Sequence, residues 1–186
     1  IQRKLVKNFI PKDRKSLEAH ISFSRGVSES TSEAITQNID RGGFQFDGMY
    51  RKELGYQYAY AFGLRYARET VNTPVASLTN QRFLGIVEGR YYFEPMEDFH
   101  RARVGLSLGF GFGQSRTETT GQASFGNAIL MPSTKVSLSF PIDKFNEMEF
   151  YGAFESLRLE ESFASGADQT TNLINSKLGF MWRKHI

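Results

Sequence analysis

The stretch Gly55–Arg68, GYQYAYAFGLRYAR, decides the fold because large side chains occupy every second position in it. A period of two is typical of a β-strand, in which successive side chains point to opposite faces. One face of this strand is mostly aromatic, and the other is small or polar and carries Arg65. The stretch Arg101–Ser115 repeats the pattern, with Val104, Leu106, Leu108, Phe110 and Phe112 on its large face.

Weaker copies of this alternation fill the rest of the chain from Leu17 onward and give about eight strands. Each is long enough for the roughly 9 to 11 residues that a tilted strand needs to cross a bilayer. The sequence therefore predicts an all-β fold, an eight-stranded antiparallel up-and-down transmembrane β-barrel. Longer connections rich in Ser and Thr are expected at Ser28–Asn38, Thr70–Asn80, Thr117–Gly126 and Ser162–Thr171. Shorter ones are expected at Arg51–Leu54, Glu94–Phe99 and Pro141–Asn146.

The two faces are less distinct in the segment Met148–Leu159, where Tyr151, Leu157 and Leu159 share the face of the charged residues. We expect a bulge in this segment, or a strand that leaves the apolar zone near Ser156. The strand that follows Gln81 is blurred in the same way by Leu84, Ile86 and Tyr92.

The composition limits the chemistry and divides the chain in two. The absence of Cys excludes a disulfide scaffold and a thiolate metal site. The mean hydropathy is −0.40 and no run of 18 apolar residues exists, so a transmembrane helix is excluded, but alternating strands would give the same average. Residues 1–16 contain six Lys or Arg and one Asp, whereas the remainder contains 17 Lys or Arg and 19 Asp or Glu. We therefore predict a basic tail over residues 1–16 and a barrel domain over residues 17–186.

The distribution of small residues indicates which face of the barrel is outside. A soluble barrel needs bulky residues inward and polar residues outward. In the two clearest strands the face opposite the aromatic one is so rich in Gly and Ala that it would be a poor solvent surface, so we expect it to line a lumen. A soluble barrel or sandwich is the alternative. The expected lipid-facing band consists of Tyr56, Tyr58, Tyr60, Phe62, Leu64, Leu106, Leu108, Phe110, Phe180 and Trp182.

The lumen-facing positions carry charges of both signs. Side chains about fill the interior of an eight-stranded barrel, and an unpaired buried ion costs several kcal/mol. The sequence therefore predicts an ion-pair network that closes the barrel, and a narrow polar channel for small solutes is the alternative. The inward glycines of Arg101–Ser115 leave open whether water or crossing arginine side chains fill the space beside them. The predicted lumen ion network is Glu18, Asp47, Arg51, Arg65, Glu88, Arg90, Arg103, Lys135, Glu149, Glu155, Lys177 and Arg183.

Residues 17–186 resemble the small bacterial outer-membrane barrels, such as the transmembrane domain of outer-membrane protein A and its eight-stranded relatives. The most specific part of the resemblance is the last strand, where Leu178, Phe180, Trp182 and Ile186 share one face. This pattern is similar to the C-terminal signal that the barrel-assembly machinery reads, although a terminal Phe or Trp is usual and Lys184 interrupts the apolar set. The resemblance implies a Gram-negative outer-membrane location, periplasmic termini, and contact with outer-membrane lipid and the assembly machinery.

Candidate catalytic and ligand-binding residues are few. Small barrels that modify lipid A are a precedent for an enzyme, but His20, His100 and His185 are the only histidines, and none has a Ser or Asp at a short catalytic spacing. The string Gly109–Gly113 continues a strand rather than opening a helix, so it does not predict a nucleotide loop. No metal-ligand spacing, cofactor motif or nucleic-acid-binding pattern is present.

The tail has Ile1, Leu5 and Phe9 at helical spacing among basic residues, with Pro11 as a stop. It is either a short amphipathic helix that contacts lipid or an envelope protein, or a disordered leader. The start at Ile1, with no apolar signal region before it, fits an exported protein whose signal has been removed. We expect a non-enzymatic structural or interaction component of the bacterial envelope that works through its tail or loops. The alternatives are a narrow channel and a lipid A-modifying enzyme.

Overall fold

The computed structural model describes residues 14–32, 35–72, 77–96, 101–119, 122–163 and 168–186. Residues 1–13, most of the predicted tail, lie outside this description. No helix among the described residues is long and apolar enough to cross a membrane. The strands are β1 (Lys15–Ser32), β2 (Ile35–Leu54), β3 (Tyr58–Asn72), β4 (Ser77–Tyr92), β5 (Arg103–Thr119), β6 (Gln122–Pro141), β7 (Asn146–Phe163) and β8 (Asp168–His185).

The eight strands form one closed barrel in which each strand pairs antiparallel with its sequence neighbours. β8 returns to β1, and the pair Ser16–His185 begins the ladder that closes the barrel. The chain therefore enters and leaves at the same end, which we call the terminal end, and the opposite end is the distal end. The all-β, eight-stranded up-and-down fold predicted from the alternation is confirmed.

The distal connections are much shorter than the sequence analysis predicts. The β1–β2 ladder continues to the pair Ser32–Ile35, so most of the predicted loop Ser28–Asn38 belongs to strands. The other three Ser- and Thr-rich connections shorten in the same way, to residues 73–76, 120–121 and 164–167 between the strand ends. The prediction of long distal loops is wrong because polar residues continue the strands there, where the ladder satisfies their backbone hydrogen bonds.

The turns at the terminal end are shifted slightly from their predicted positions. Arg51–Leu54 belongs to β2, and the turn follows at residues 55–57, where Gly55 adopts the left-handed φ of 81°. The last turn occupies residues 142–145, and the Asp143 carboxylate accepts hydrogen bonds from the backbone N–H groups of Phe145 (2.6 Å) and Asn146 (2.8 Å). These two turns are tight, as expected. The connection predicted at Glu94–Phe99 is longer than expected, because β4 ends at Tyr92 and β5 begins only at Arg103.

The outer wall carries an apolar band of the height that a membrane requires. In β3 the outward residues from Tyr58 to Tyr66 are all large and apolar or aromatic, and the exposed Arg68 follows them. These nine residues span roughly 30 Å along the strand, or about 23 Å along the axis at a tilt near 40°. The apolar band of an outer-membrane barrel is about 25 Å tall. The outer wall of this barrel therefore faces lipid.

The indistinct alternation in β4 and β7 arises from an apolar patch inside the barrel. Leu157 and Leu159 point inward, as do Leu84 and Ile86 of β4, and β7 pairs with β8 without a register shift. The prediction of a bulge in β7 is therefore wrong. The bulge lies in β6, whose pairing shifts between Leu130 and Thr134. The patch consists of Met49, Ala61, Leu84, Ile86, Ala128, Leu130, Leu157, Leu159 and Leu173.

Candidate functional site: the barrel lumen

The structure places all twelve residues of the predicted ion network inside the barrel. Each is at most 6% exposed, and each has an oppositely charged side chain within 4 Å. They occupy two levels of the lumen, and a third level toward the distal end consists of residues outside the predicted set. We call these levels the terminal cluster, the central bridge and the distal cluster, and we define each by its residues below.

The terminal cluster is organised around Glu18 and Arg183. Arg183 donates to Glu18 (Nε–Oε1 2.7 Å) and also reaches Glu147 (Nη1–Oε2 2.6 Å) and Glu149 (Nη2–Oε2 2.9 Å). Arg90 approaches Glu18 from the other side (Nη1–Oε2 2.8 Å). Each charge is thus shared among several partners, which offsets the cost of burying it. The cluster consists of Glu18, Arg51, Glu53, Arg90, Tyr92, Arg103, Glu147, Glu149 and Arg183.

Tyr92 lies at the centre of this cluster. The guanidinium carbons of Arg103, Arg51 and Arg183 lie 4.6, 5.1 and 5.8 Å from the centre of its ring, within the range of cation–π attraction. Its hydroxyl accepts a hydrogen bond from Arg183 (3.0 Å) and donates one to Glu149 (3.3 Å). Tyr92 therefore separates three like charges that would otherwise repel one another.

The central bridge crosses the lumen. Arg65 on β3 donates two hydrogen bonds to Asp47 (Nε–Oδ1 3.0 Å and Nη2–Oδ2 2.9 Å) and one to Glu155 on β7 (Nη1–Oε1 2.7 Å). Lys177 on β8 donates to Glu155 and to Gln45 on β2. β3 and β7 lie opposite each other in the eight-stranded ring, so the Arg65 side chain spans the barrel axis. Glu88 pairs with Arg90 of the terminal cluster (2.8 Å) and with Lys135 (2.9 Å).

The distal cluster was missed by the sequence analysis. Glu69 accepts hydrogen bonds from Arg41 (2.8 Å) and Asn175 (2.9 Å) and lies 2.6 Å from an Arg82 nitrogen. Ser24 completes the cluster with a hydrogen bond of 3.2 Å to Glu69. Continuing the inward parity of β3 from Arg65 by two steps identifies Glu69, but this residue lies just beyond the predicted strand Gly55–Arg68 and directly before the predicted loop Thr70–Asn80. Glu161 on β7 is missed in the same way, because it directly precedes the predicted loop Ser162–Thr171.

The inward glycines of β5 do not open a water path. A Cβ atom built on Gly105 would lie 2.6 Å from Ser137 Oγ and 2.9 Å from Tyr92 Cε1, and one on Gly109 would lie 2.7 Å from Ser133 Oγ. The space above these glycines is thus already occupied by neighbouring side chains. The apolar patch and the three levels thus place buried side chains along the lumen.

The same barrel fold is found in a solved structure of very different sequence. No family model and no curated protein matches the chain. The crystal structure of Neisserial surface protein A superposes with a TM-score of 0.56 at 10% identity, covering 90% of this chain and 95% of that one. The fold is that of the small outer-membrane β-barrels.

Two further outer-membrane barrels match over most of their lengths. Ail, the attachment invasion locus protein of Yersinia pestis, has a TM-score of 0.46 at 12% identity, covering 93% of this chain and 99% of that one. OprG from Pseudomonas aeruginosa has a TM-score of 0.43 at 9% identity, covering 94% and 97%. At these identities the likeness concerns the fold alone.

The outward face of this outer-membrane barrel contains nearly all of the predicted lipid-facing residues. Tyr58, Tyr60, Phe62, Leu64, Leu106, Leu108, Phe110 and Trp182 are exposed on the outer wall, and Phe180 is half-buried there beside Phe150 (ring centres 5.6 Å apart). Tyr56 is the exception, because it lies in the turn at residues 55–57 and not in a strand.

The described histidines take part in the interior packing of the barrel. His20 Nε2 lies 3.1 Å from Glu18, and its ring lies 5.9 Å from that of Tyr151. His185 Nε2 lies 3.3 Å from Glu147. His100 lies outside the described residues. Within the described ranges no group of three or more His, Cys, Asp or Glu could hold a metal ion.

Proposed function

We propose that the protein is a closed barrel of the bacterial outer membrane that acts as a structural or interaction component rather than as a channel. The observation that carries this proposal is the Arg65 bridge to Asp47 and Glu155, which crosses the axis between opposite strands. The terminal cluster on one side and the distal cluster on the other leave no level without paired charges. A conducting path would have to break several of these pairs at once, and stranding one buried ion costs about 3–5 kcal/mol.

The surfaces available for interaction lie beyond the apolar band. At the distal end the strands continue as polar ladders, and exposed ion pairs join Arg116 to Glu118 (2.5 Å) and Arg158 to Glu160 (2.8 Å). At the terminal end the predicted basic tail of residues 1–16 leads into β1, which begins at Lys15. With the termini in the periplasm, the distal ladders face the cell exterior and the tail meets lipid or an envelope protein on the inner side.

Planar-bilayer recording of the refolded full chain tests the closed lumen. We expect no unitary conductance steps, while heat-modifiable gel mobility shows that the chain is folded and inserted. Arg103→Gln changes the terminal cluster, and Arg116→Gln changes an exposed rim pair and serves as the matched control. Reproducible steps in the unmodified chain that are lost in the first variant and retained in the second would assign conduction to the lumen and overturn the proposal.

Mass spectrometry of lipid A tests the enzymatic alternative separately. His20 is held by Glu18 inside the lumen, a position that supports a packing role for this imidazole. We expect lipid A from cells that express the chain to keep its mass. A mass change that is lost in His20→Ala would identify a lipid-modifying enzyme.

A further inference from the structure

The outer wall contains a groove that crosses β2 to β6 within the apolar band. Gly48, Leu64 and Gly85 are register partners on adjacent strands, so two positions without a side chain flank a leucine. A Cβ atom on Gly48 would meet nothing within 4 Å, and one on Gly85 would meet only the Phe112 carbonyl oxygen at 3.8 Å. The groove is thus open to the outside, and Phe62, Leu64, Val87, Phe110, Phe112 and Met131 form its sides.

The size and position of the groove restrict what can occupy it. Its volume is about 1270 Å³, above the ~300–1,000 Å³ of pockets for small molecules. Leu64 and Phe112 beside it are 56% and 75% exposed in the part of the wall that faces lipid. Water does not hydrate such a surface inside a bilayer, so the occupant must be hydrocarbon.

A row of cationic and polar side chains lies directly above the groove, at the distal edge of the apolar band. Arg68 pairs in register with Gln81, and Gln81 pairs with Arg116, so the three stand side by side on β3, β4 and β5. Arg116 binds Glu118 and stacks on Phe125 (5.2 Å to the ring centre). Arg68 is exposed and, within the described residues, has no acidic side chain within 4 Å. The row lies four residues from Gly85, or roughly 13 Å along the strand.

We propose that this groove and the row of Arg68, Gln81 and Arg116 together bind one anionic membrane lipid. The lipid phosphate accepts hydrogen bonds from Arg68, with Gln81 and Arg116 beside it, and an acyl chain lies over Gly85. A guanidinium without a carboxylate partner suits a phosphate at the membrane surface. The separation of about 13 Å along the tilted strand is about 10 Å along the axis, which lies within one leaflet, whose hydrocarbon is about 15 Å thick. Only a lipid supplies both groups at this spacing.

Spin-labelled lipids test the headgroup half of the site. The full chain is reconstituted in phosphatidylcholine vesicles, and electron paramagnetic resonance compares the association of phosphatidylglycerol and phosphatidylcholine labelled on identical chains. We expect a preference for phosphatidylglycerol that Arg68→Gln lowers about fivefold, the effect of one surface charge. Arg25→Gln is the matched control, since Arg25 is exposed near the distal edge on β1, away from the groove, with no acidic partner among the described residues.

A second pair of variants tests the groove. Gly85→Leu fills it, and we expect fewer immobilised lipids of both kinds. Gly152→Leu on β7 is the control, because a Cβ atom there makes only ordinary contact with Leu178, at 3.8 Å. Heat-modifiable mobility verifies folding for each variant. An equal loss of the phosphatidylglycerol preference in Arg68→Gln and Arg25→Gln would show that the lipid responds only to the overall surface charge, and it would overturn the proposal. So would an unchanged Gly85→Leu, or a dimer in micelles that Gly85→Leu dissociates.

Discussion

Two acids of the lumen, Glu18 near the terminal end and Glu161 near the distal end, are buried in different ways. At the terminal end, Glu18 lies within 4 Å of nitrogen atoms of Arg51, Arg90 and Arg183. Every acid of that cluster has at least one basic neighbour, and most of the arginines serve two or more acids. The cluster contains four acids and four arginines, so removing any one of these charges leaves a net charge in the buried cluster.

At the distal end, Glu161 is buried without such help. Its carboxylate accepts hydrogen bonds from Ser115 (2.6 Å), Thr117 (3.0 Å) and Ser124 (2.9 Å). It is the one buried carboxylate of the described residues with no Lys, Arg or His within 4 Å. Hydroxyl groups can reverse their hydrogen bonds, whereas a guanidinium cannot, so the Glu161 site is expected to tolerate loss of charge better than the Glu18 site.

Matched substitutions of the two acids test this difference directly and have the largest expected effect. Glu18→Gln removes the charge opposite Arg90 and Arg183 and should lower the free energy of unfolding by about 3–5 kcal/mol. Glu161→Gln should cost less than about 1.5 kcal/mol, because a serine or threonine hydroxyl can turn to accept from the new amide. Urea titration in lipid vesicles, followed by the fluorescence of the single Trp182, measures both. Equal losses in the two variants would show that an acid held by arginines and an acid held by hydroxyl groups contribute equally to stability.

The terminal half also depends on a close aromatic contact, which a smaller change tests. Tyr151 pairs in register with Gly179, and a Cβ atom on this glycine would lie 2.3 Å from the tyrosine ring. Gly179→Ala should therefore force the ring to move and cost about 1–3 kcal/mol by the same titration. Its control is Gly152→Ala, whose nearest contact would be 3.8 Å away. A Gly179→Ala barrel as stable as the control would show that the tyrosine can move freely.

Wherever one face of a strand is uniform, the sequence alone predicts which side chains point into the barrel. Arg65 sits among small residues opposite an aromatic face, so its inward direction followed from parity alone. Its partners did not follow, because Glu155 lies 90 positions away and on the opposite strand. The alternation determines the side of a residue but not its height in the barrel, which depends on the register of every intervening strand.

Two groups of inward residues could not be identified from the alternation, the leucines of β7 and the two distal acids, and each group has a physical reason. Leu157 and Leu159 looked like a disturbance in the pattern because apolar residues were expected only on the lipid side, whereas the lumen has an apolar patch of its own. Glu69 and Glu161 are not predicted as lumen residues because each directly precedes a segment whose Ser and Thr content indicates a loop, Thr70–Asn80 and Ser162–Thr171. In the structure those residues extend the strands, and serine and threonine hydroxyls bind the two buried acids.

Asp143 extends the comparison to a third acid and has the smallest expected effect. It lies fully exposed in the terminal turn, where the Asn146 side-chain amide and the N–H groups of Phe145 and Asn146 lower the pKa of its carboxyl group. Because this pKa is lowered in the folded state, the stabilisation is complete above the ordinary carboxyl range and is lost as the pH falls through the folded value. Asp143→Ala should therefore lower the urea midpoint slightly at pH 7 and progressively less toward pH 3. A difference from the unmodified chain that stays constant with pH would show that the carboxylate charge contributes nothing to the turn.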